Sequence, residues 1–260
     1  MKAKELIEAL RKDAAIPTVT CDTLKAGSDE REISRLAVSM FATVEVLREV
    51  KAWGADMLIV HEPTYYDHMD VRCADAVTKE KERLIEESGI TLYRHHDGMH
   101  YRAVDLIAKG ELHYIGLSGS LRKTPYAASS LYTLDEGISA LALAERLEKE
   151  LGISHVRIAG ERNKISTKIA ACFGTPSGVF DLLKSDEVEI LLVGETCEWM
   201  VAEYARDAAA LGKNKSVIVM GHIGSERDGM RYLTERLKED YPSLSVRYFE
   251  CQEVYTYTDS

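Results

Sequence analysis

Short apolar runs rich in β-branched residues alternate with helix-period segments along nearly the whole chain, the pattern of an α/β fold with largely parallel strands. The runs predict strands at 36–41, 57–60, 90–93, 156–159, 168–173, 189–193, 217–220 and 245–249. Between them lie helical patterns. Thr43 is placed to cap VEVLREVKAW, which runs out at Gly54, and ISALALAERLEKEL stops at Gly152, where a left-handed residue belongs. SGSLRKTPYAASSLYTLDEG, 118–137, is richer in Ser, Gly and Pro than its surroundings and reads as a linker. The expected division is a first α/β domain of residues 1–126 with about 215–260, carrying most candidate ligands, and a second of 127–214. GTPSG at 174–178 reads as a plain turn, being too short and too unlike a phosphate loop.

The 260 residues are 45% hydrophobic, enough for packed cores without covalent staples. The five cysteines are scattered, odd in number and never in CxxC spacing, which suggests neither a disulfide framework nor a thiolate zinc site and points to a reducing cytoplasm. MKAKELIEALRKDAAI alternates charge and apolar character at helical spacing, unlike a signal peptide, and no run approaches the roughly 20 apolar residues of a membrane span. A formal charge of -10 argues against non-specific nucleic-acid binding.

The histidines alter this picture. Of eight, all but His113 and His155 lie just beyond three predicted strands: His61 and His68 after ADMLIV, His95, His96 and His100 after ITLYR, and His222 after SVIVM. Ligands in open α/β sheets gather at the carboxyl ends of strands, so these clusters, with Glu62 and Glu226, suggest a metal site. Imidazole and carboxylate without thiolate suit zinc, manganese, iron, cobalt or nickel. So many candidate donors exceed what one tetrahedral zinc with an open position uses, which favours two divalent ions sharing a bridging water, and hydrolysis as the chemistry.

The same residues resemble a known family. DTLKAGSDEREISRLAVSMFATVEVLREVKAWGADMLIVHEP is similar to the opening of the NIF-three-like (Ngg-one interacting factor three) dinuclear metal-centre proteins, some of which carry the label of a type-two GTP cyclohydrolase. LYRHHDGMHYRAVDLIA resembles their H-T-N-L-D loop, and KIAACFGTPSG, EILLVGETCEWMVAEYARD and VIVMGHIGSERDGMRYLTERL their glycine turn, T-G-E strand end and G-H-x-x-[ST]-E motif, the last matched by Gly221, His222, Ser225 and Glu226. The resemblance implies two interleaved α/β domains, a toroidal homohexamer, and two metals held by three histidines and two carboxylates. The chain departs from the pattern twice: Glu62 stands where the motif has a second histidine after His61, and His100 where it has an aspartate. The changes are reciprocal, so His61, Glu62, His100, His222 and Glu226 keep the tally of three imidazoles and two carboxylates and are the expected ligands. Asp97 is the alternative carboxylate ligand if the loop is shifted, with His100 then off the metal. His96 is expected beside the ligands as a proton-transfer group, and Glu195 as either a helix cap or a carboxylate that orients a ligand.

Two functions follow. One is a metal-dependent hydrolase of a small molecule, a nucleotide or another C–N bond substrate, with Tyr65, Tyr66 and Arg227 near enough in sequence to line its pocket. The other is a metal-binding, storage or regulatory scaffold without catalysis.

Overall fold

The computed structural model describes residues 1–258. Its elements run α1 (Ala3–Arg11), β1 (Leu24–Ala26), β2 (Arg35–Ser39), α2 (Val44–Trp53), β3 (Met57–Val60), α3 (Ala76–Ser88), β4 (Thr91–Arg94) and a single turn α4 (Asp97–His100). They continue as α5 (Leu106–Ile115), β5 (Gly119–Lys123), β6 (Ser130–Ser139), α6 (Ala140–Leu151), β7 (Arg157–Gly160), β8 (Ile165–Cys172) and α7 (Val179–Lys184). After β9 (Ile190–Val193), a π-helical turn Glu198–Ala202 leads into α8 (Glu203–Ala210), β10 (Ser216–Val219), α9 (His222–Asp240) and β11 (Ser245–Tyr248). Each predicted strand is present, the largest displacement being at β8. The chain forms two compact units that interleave along the sequence, Met1–Arg102 with Met230–Gln252, and Ala103–Gly229 with the residues from Glu253 onward.

The first unit holds a five-stranded sheet in the order β1-β4-β3-β2-β11, parallel except for β1. MLIV of β3 lies at its centre with all four residues buried, which is why the run is apolar at every position rather than alternating. Val46, Leu47 and Val50 of α2 and Ile85 of α3 pack on Ala37, Leu58, Val60 and Leu92. Thr43 accepts from Val46 N–H as the N-cap of α2, and Gly54 ends the helix at φ 74°.

The second unit holds a six-stranded sheet in the order β5-β6-β8-β9-β10-β7. Its centre, β8-β9-β10, is parallel, but its margins are antiparallel, so it is mixed rather than largely parallel. Residues 118–137, expected as a linker, build β5 and most of β6, with Ser130, Leu131, Tyr132 and Leu134 buried. Backbone pairing and inward side chains override the polar composition there. Among the described residues no helix is long and apolar enough to cross a membrane.

One buried group in the second unit sets a pH dependence. Glu111 of α5 is fully buried, and its Oε1 accepts from Asp228 N–H at 2.7 Å and Gly229 N–H at 3.2 Å. Burial, and after it the facing Asp228 carboxylate, push the Glu111 carboxyl well above the usual range. The folded state therefore binds a proton that the unfolded chain releases near pH 4.3, so this group favours folding at low pH and opposes it as pH rises, by up to about 1.4 kcal/mol per pH unit. Glu111→Gln keeps the carbonyl acceptor and needs no proton. Urea unfolding followed from about pH 5 to 8 should show a smaller loss of stability with pH in the variant than in the wild type, and equal slopes would refute the assignment.

Candidate functional site

In the first unit, parallel pairing sets the carboxyl ends of β2, β3 and β4 side by side. His61 N–H and Glu62 N–H both reach Met40 O, at 3.1 and 3.0 Å, and His95 N–H donates to Val60 O at 2.8 Å. The segment leaving β3 therefore lies against the HHDGMH segment leaving β4. His61 Nε2 is 3.2 Å from His100 Nε2 and 3.7 Å from Glu62 Oε1, and His96 Nε2 is 3.9 Å from the same Glu62 oxygen. His61, His96 and His100 each offer a donor atom within 4.8 Å of the others, an arrangement that could hold a metal ion.

The imidazoles are oriented from behind. His61 Nδ1 donates to His95 O at 3.1 Å, and His96 Nδ1 donates to Asp97 Oδ1 at 3.0 Å, which turns both Nε2 atoms toward Glu62. Asp97 also accepts from Thr20 Oγ1 at 2.7 Å. Burial opposes the ionisation of Asp97, but the His96 and Thr20 hydrogen bonds outweigh it and hold the carboxyl at about 2. Burial lowers the His96 ring to about 4 against the pull of Asp97, which leaves it neutral near pH 7 with a lone pair on Nε2.

Beneath this cluster Asp22 fixes the turn. Its Oδ1 accepts from His96 N–H at 2.8 Å and Asp97 N–H at 2.7 Å, its Oδ2 from Gly98 N–H at 2.8 Å, and Oδ2 lies 3.3 Å from His95 Nδ1. Burial works against this carboxylate, yet the His95 ring and the backbone donors depress its pKa far below the ordinary value. Arg94, fully buried at the end of β4, donates through Nε to His61 O at 2.9 Å and through Nη1 to His68 O. Its Nη2 is 3.6 Å from Glu62 Oε2 and its Nη1 3.6 Å from Asp70 Oδ2, while Lys25 Nζ reaches Asp70 at 2.6 Å.

The second unit repeats the plan at the carboxyl ends of β8, β9 and β10. Glu195 N–H donates to Gly174 O at 2.9 Å and Gly221 N–H to Gly194 O at 3.1 Å, so the three strand ends form one edge. His222 opens α9, and its Nε2 stands 3.2 Å from Glu226 Oε2 one turn on. Glu195 Oε1 accepts from His222 Nδ1 at 2.6 Å. Glu195 thus orients this ligand candidate rather than capping a helix. Ser225 Oγ accepts from Gly174 N–H at 3.0 Å and donates to His222 O at 2.9 Å. Gly174 is more than a plain turn: at φ 66°, a Cβ there would lie 2.6 Å from Glu226 Oε1, so only glycine lets this backbone approach the carboxylate.

Both sets have the form of histidine ligands steadied by outer oxygens. A family model described as Duf34/NIF3 (NGG1p interacting factor 3) matches residues 1–254. The chain belongs to this family. A "GTP cyclohydrolase 1 type 2 homolog" of Clostridium perfringens is 23% identical over 225 residues, covering 83% of this chain and 82% of the relative. A human "NIF3-like protein 1" is 33% identical over 111 residues, covering 41% of this chain and 27% of the relative. Among solved structures, "protein ybgI, unknown function" matches with a TM-score of 0.78 at 21% identity over 98% of this chain and 100% of its own. "Reduced HcgD from Methanocaldococcus jannaschii" matches with a TM-score of 0.74 at 20% identity, covering 95% of this chain and 97% of its own. At these identities the structures establish the NIF3 fold alone.

Other candidates fall elsewhere. Tyr65 is buried in the core of the first unit, Tyr66 is exposed beneath Lys81, and Arg227 is engaged with Leu151 O and Asp228. His68 is exposed but stays at the cluster, its ring meeting His96 edge to face at 5.4 Å, whereas His155 stacks on Tyr257. Asp22 and Arg94 escaped the sequence reading because neither lies in a ligand-like motif, although a charged residue ending the buried strand TLYR was a signal.

Removing the Asp22 carboxylate would strand three backbone donors in a buried turn. Asp22→Ala is expected to destabilise the protein by about 3 kcal/mol or more, with Asp22→Asn costing less because one oxygen remains. Because the folded pKa is depressed, this contribution is present above about pH 3.9 and is lost as pH falls through the folded value. Chemical denaturation at neutral pH measures the loss, and an Asp22→Ala variant as stable as the wild type would show that the turn does not need the carboxylate.

Proposed function

We propose that this NIF3-family protein is a divalent-metal-dependent hydrolase of a small molecule, with a nucleotide or cyclic C–N substrate of the kind named in its "GTP cyclohydrolase 1 type 2 homolog" relatives. The observation that carries the reading is that His61, His96 and His222 each engage an oxygen through Nδ1, which leaves Nε2 beside a carboxylate. The donor chemistry fits a transition-metal dication and disfavours magnesium or calcium, which prefer all-oxygen sites.

His61, Glu62 and His100 in the first unit, and His222 and Glu226 in the second, would hold two ions in this reading. Bound metal would supply Lewis acidity toward water and a developing oxyanion. The chain's own residues fix the tautomers through His95 O and Glu195, set Glu62 beside Arg94, and shut bulk water from the buried rings of His61 and His100. Assembly into a toroidal homohexamer belongs to the same proposal, on the strength of the family motifs. The departures at Glu62 and His100 support a second reading, a metal-binding scaffold that does not turn over substrate.

Elemental analysis of protein reconstituted with zinc, manganese or iron should give two ions per chain, with loss of metal in both His61→Ala and His222→Ala. A screen of nucleotides and cyclic amides should find turnover that both variants abolish. Two bound ions with no turnover by any loaded form would replace the hydrolase by the scaffold, and no tightly bound metal would overturn both.

A further inference from the structure

Resting on the nucleotide reading of the metal site above, we infer that Tyr66 is a stacking platform for the planar heteroaromatic ring of the substrate, at the margin of the first unit's imidazole cluster. Tyr66 stands outside that cluster, but its segment does not leave it. The residue follows Glu62 by four positions and precedes His68 by two, and the His68 ring meets that of His96 edge to face at 5.4 Å. Two residues span at most about 7 Å, so the Tyr66 backbone lies within that distance of a side chain that touches the cluster.

The ring covers a cation. Lys81 Nζ sits 5.0 Å from the Tyr66 ring centroid, and Lys81 is 5% exposed whereas Tyr66 is 65% exposed, so one face of the ring is turned onto a buried ammonium and the other toward solvent. Among the described residues no second ring lies against Tyr66, and its hydroxyl takes no hydrogen bond. Burial lowers the Lys81 amine to about 8, which still leaves it a cation at pH 7. An ammonium behind the ring draws its π-density inward. The outer face is then poor for a second cation and suited to a neutral, electron-rich heterocycle in an offset stack. Met69 and Val71, both exposed, add apolar surface on the same segment.

The backbone beneath the ring is held in a conformation that a tyrosine resists. Tyr66 has φ 64°, in the left-handed region that glycine enters freely and a bulky side chain enters only where its surroundings impose it. Here they do. Asp70 accepts from Thr64 N–H and Tyr65 N–H at 2.6 and 3.0 Å, Lys81 donates to Thr64 O at 2.7 Å, and Arg94 donates to His68 O. The segment on either side of Tyr66 is therefore fixed before any ligand arrives, which is what a stacking surface requires. Beyond the Lys81 contact, the fold gains little from a ring so exposed. Contact with a ligand on the open face is the gain that offsets the strain.

Isothermal titration calorimetry of the zinc-loaded full-length protein with GTP and with inorganic triphosphate separates the ring's contribution from that of the phosphates. The wild type should bind GTP about 10-fold or more tighter than triphosphate. Tyr66→Ala and Tyr66→Gly should each weaken GTP binding about 10-fold or more while leaving triphosphate within about 2-fold, and Tyr66→Phe should keep GTP within about 2-fold. Zinc per chain should be the same in all of them. Thermal unfolding adds a readout of the strain: Tyr66→Gly should melt no lower than Tyr66→Ala, the reverse of the usual order, because only glycine relaxes this backbone. Equal GTP affinity in the wild type and Tyr66→Ala would overturn the platform, as would a wild type that binds GTP and triphosphate alike. A wild type that holds zinc but binds neither would overturn it together with the nucleotide substrate, leaving the metal site intact. A wild type that holds no metal would remove the reading on which the proposal rests, and the proposal with it.

Discussion

A guanidinium buried at the end of the central strands governs the first unit. Arg94 has no exposed surface, and a charge so placed must be surrounded by acceptors or it destabilises the fold by several kcal/mol. It takes the carbonyls of His61 and His68 and lies between the carboxylates of Glu62 and Asp70. The segment HEPTYYDHMD is therefore wrapped around it. Asp70 extends the arrangement, accepting from the N–H groups of Thr64 and Tyr65 at 2.6 and 3.0 Å and pairing with Lys25, while Lys81 donates to Thr64 O at 2.7 Å. A loop that leaves a sheet with no regular structure of its own is fixed in this way by charge, and His61 and Glu62 are fixed with it.

The same constraint gives Glu62 a physical reason. A neutral histidine at that position could not balance Arg94, whereas a glutamate offers one oxygen to the guanidinium side and the other to the imidazoles of His61 and His96. The exchange of carboxylate and imidazole between the positions of Glu62 and His100 then has a local cause beyond ligand tally. With the negative charge near Arg94, the place one turn into α4 is free to carry His100, whose ring meets His61 edge to face at 5.0 Å.

What the sequence made legible depended on which force dominates each segment. Strands buried on both faces, such as MLIV and ILLV, announce themselves because burial alone selects their residues. Their carboxyl ends could be read as site-bearing for the same reason, since parallel pairing aligns them without regard to the loops that follow. The β5–β6 hairpin was hidden because it lies at the sheet margin, where β5 is exposed at most positions and backbone pairing rather than side-chain burial holds the strand. Glu195 was ambiguous for a different reason. A carboxylate before a helix satisfies the pattern of a cap, and only the pairing of β9 with β10 shows that His222, rather than an N–H group, receives it.

Asp22 illustrates the deeper limit. It lies more than seventy residues from the turn it holds, in a segment without regular structure, and no local pattern distinguishes it from a surface aspartate. Its importance arises from α4 being a single turn whose leading N–H groups find no acceptors within so short a helix. A longer helix would dilute that need over stable downstream turns, but a turn of four residues carrying His100 and following His96 has no such reserve. Rigid presentation of the two imidazoles on so short an element thus requires an outside anion, and one carboxylate spanning three consecutive N–H groups provides it while leaving both rings facing the other way, toward Glu62 and His61.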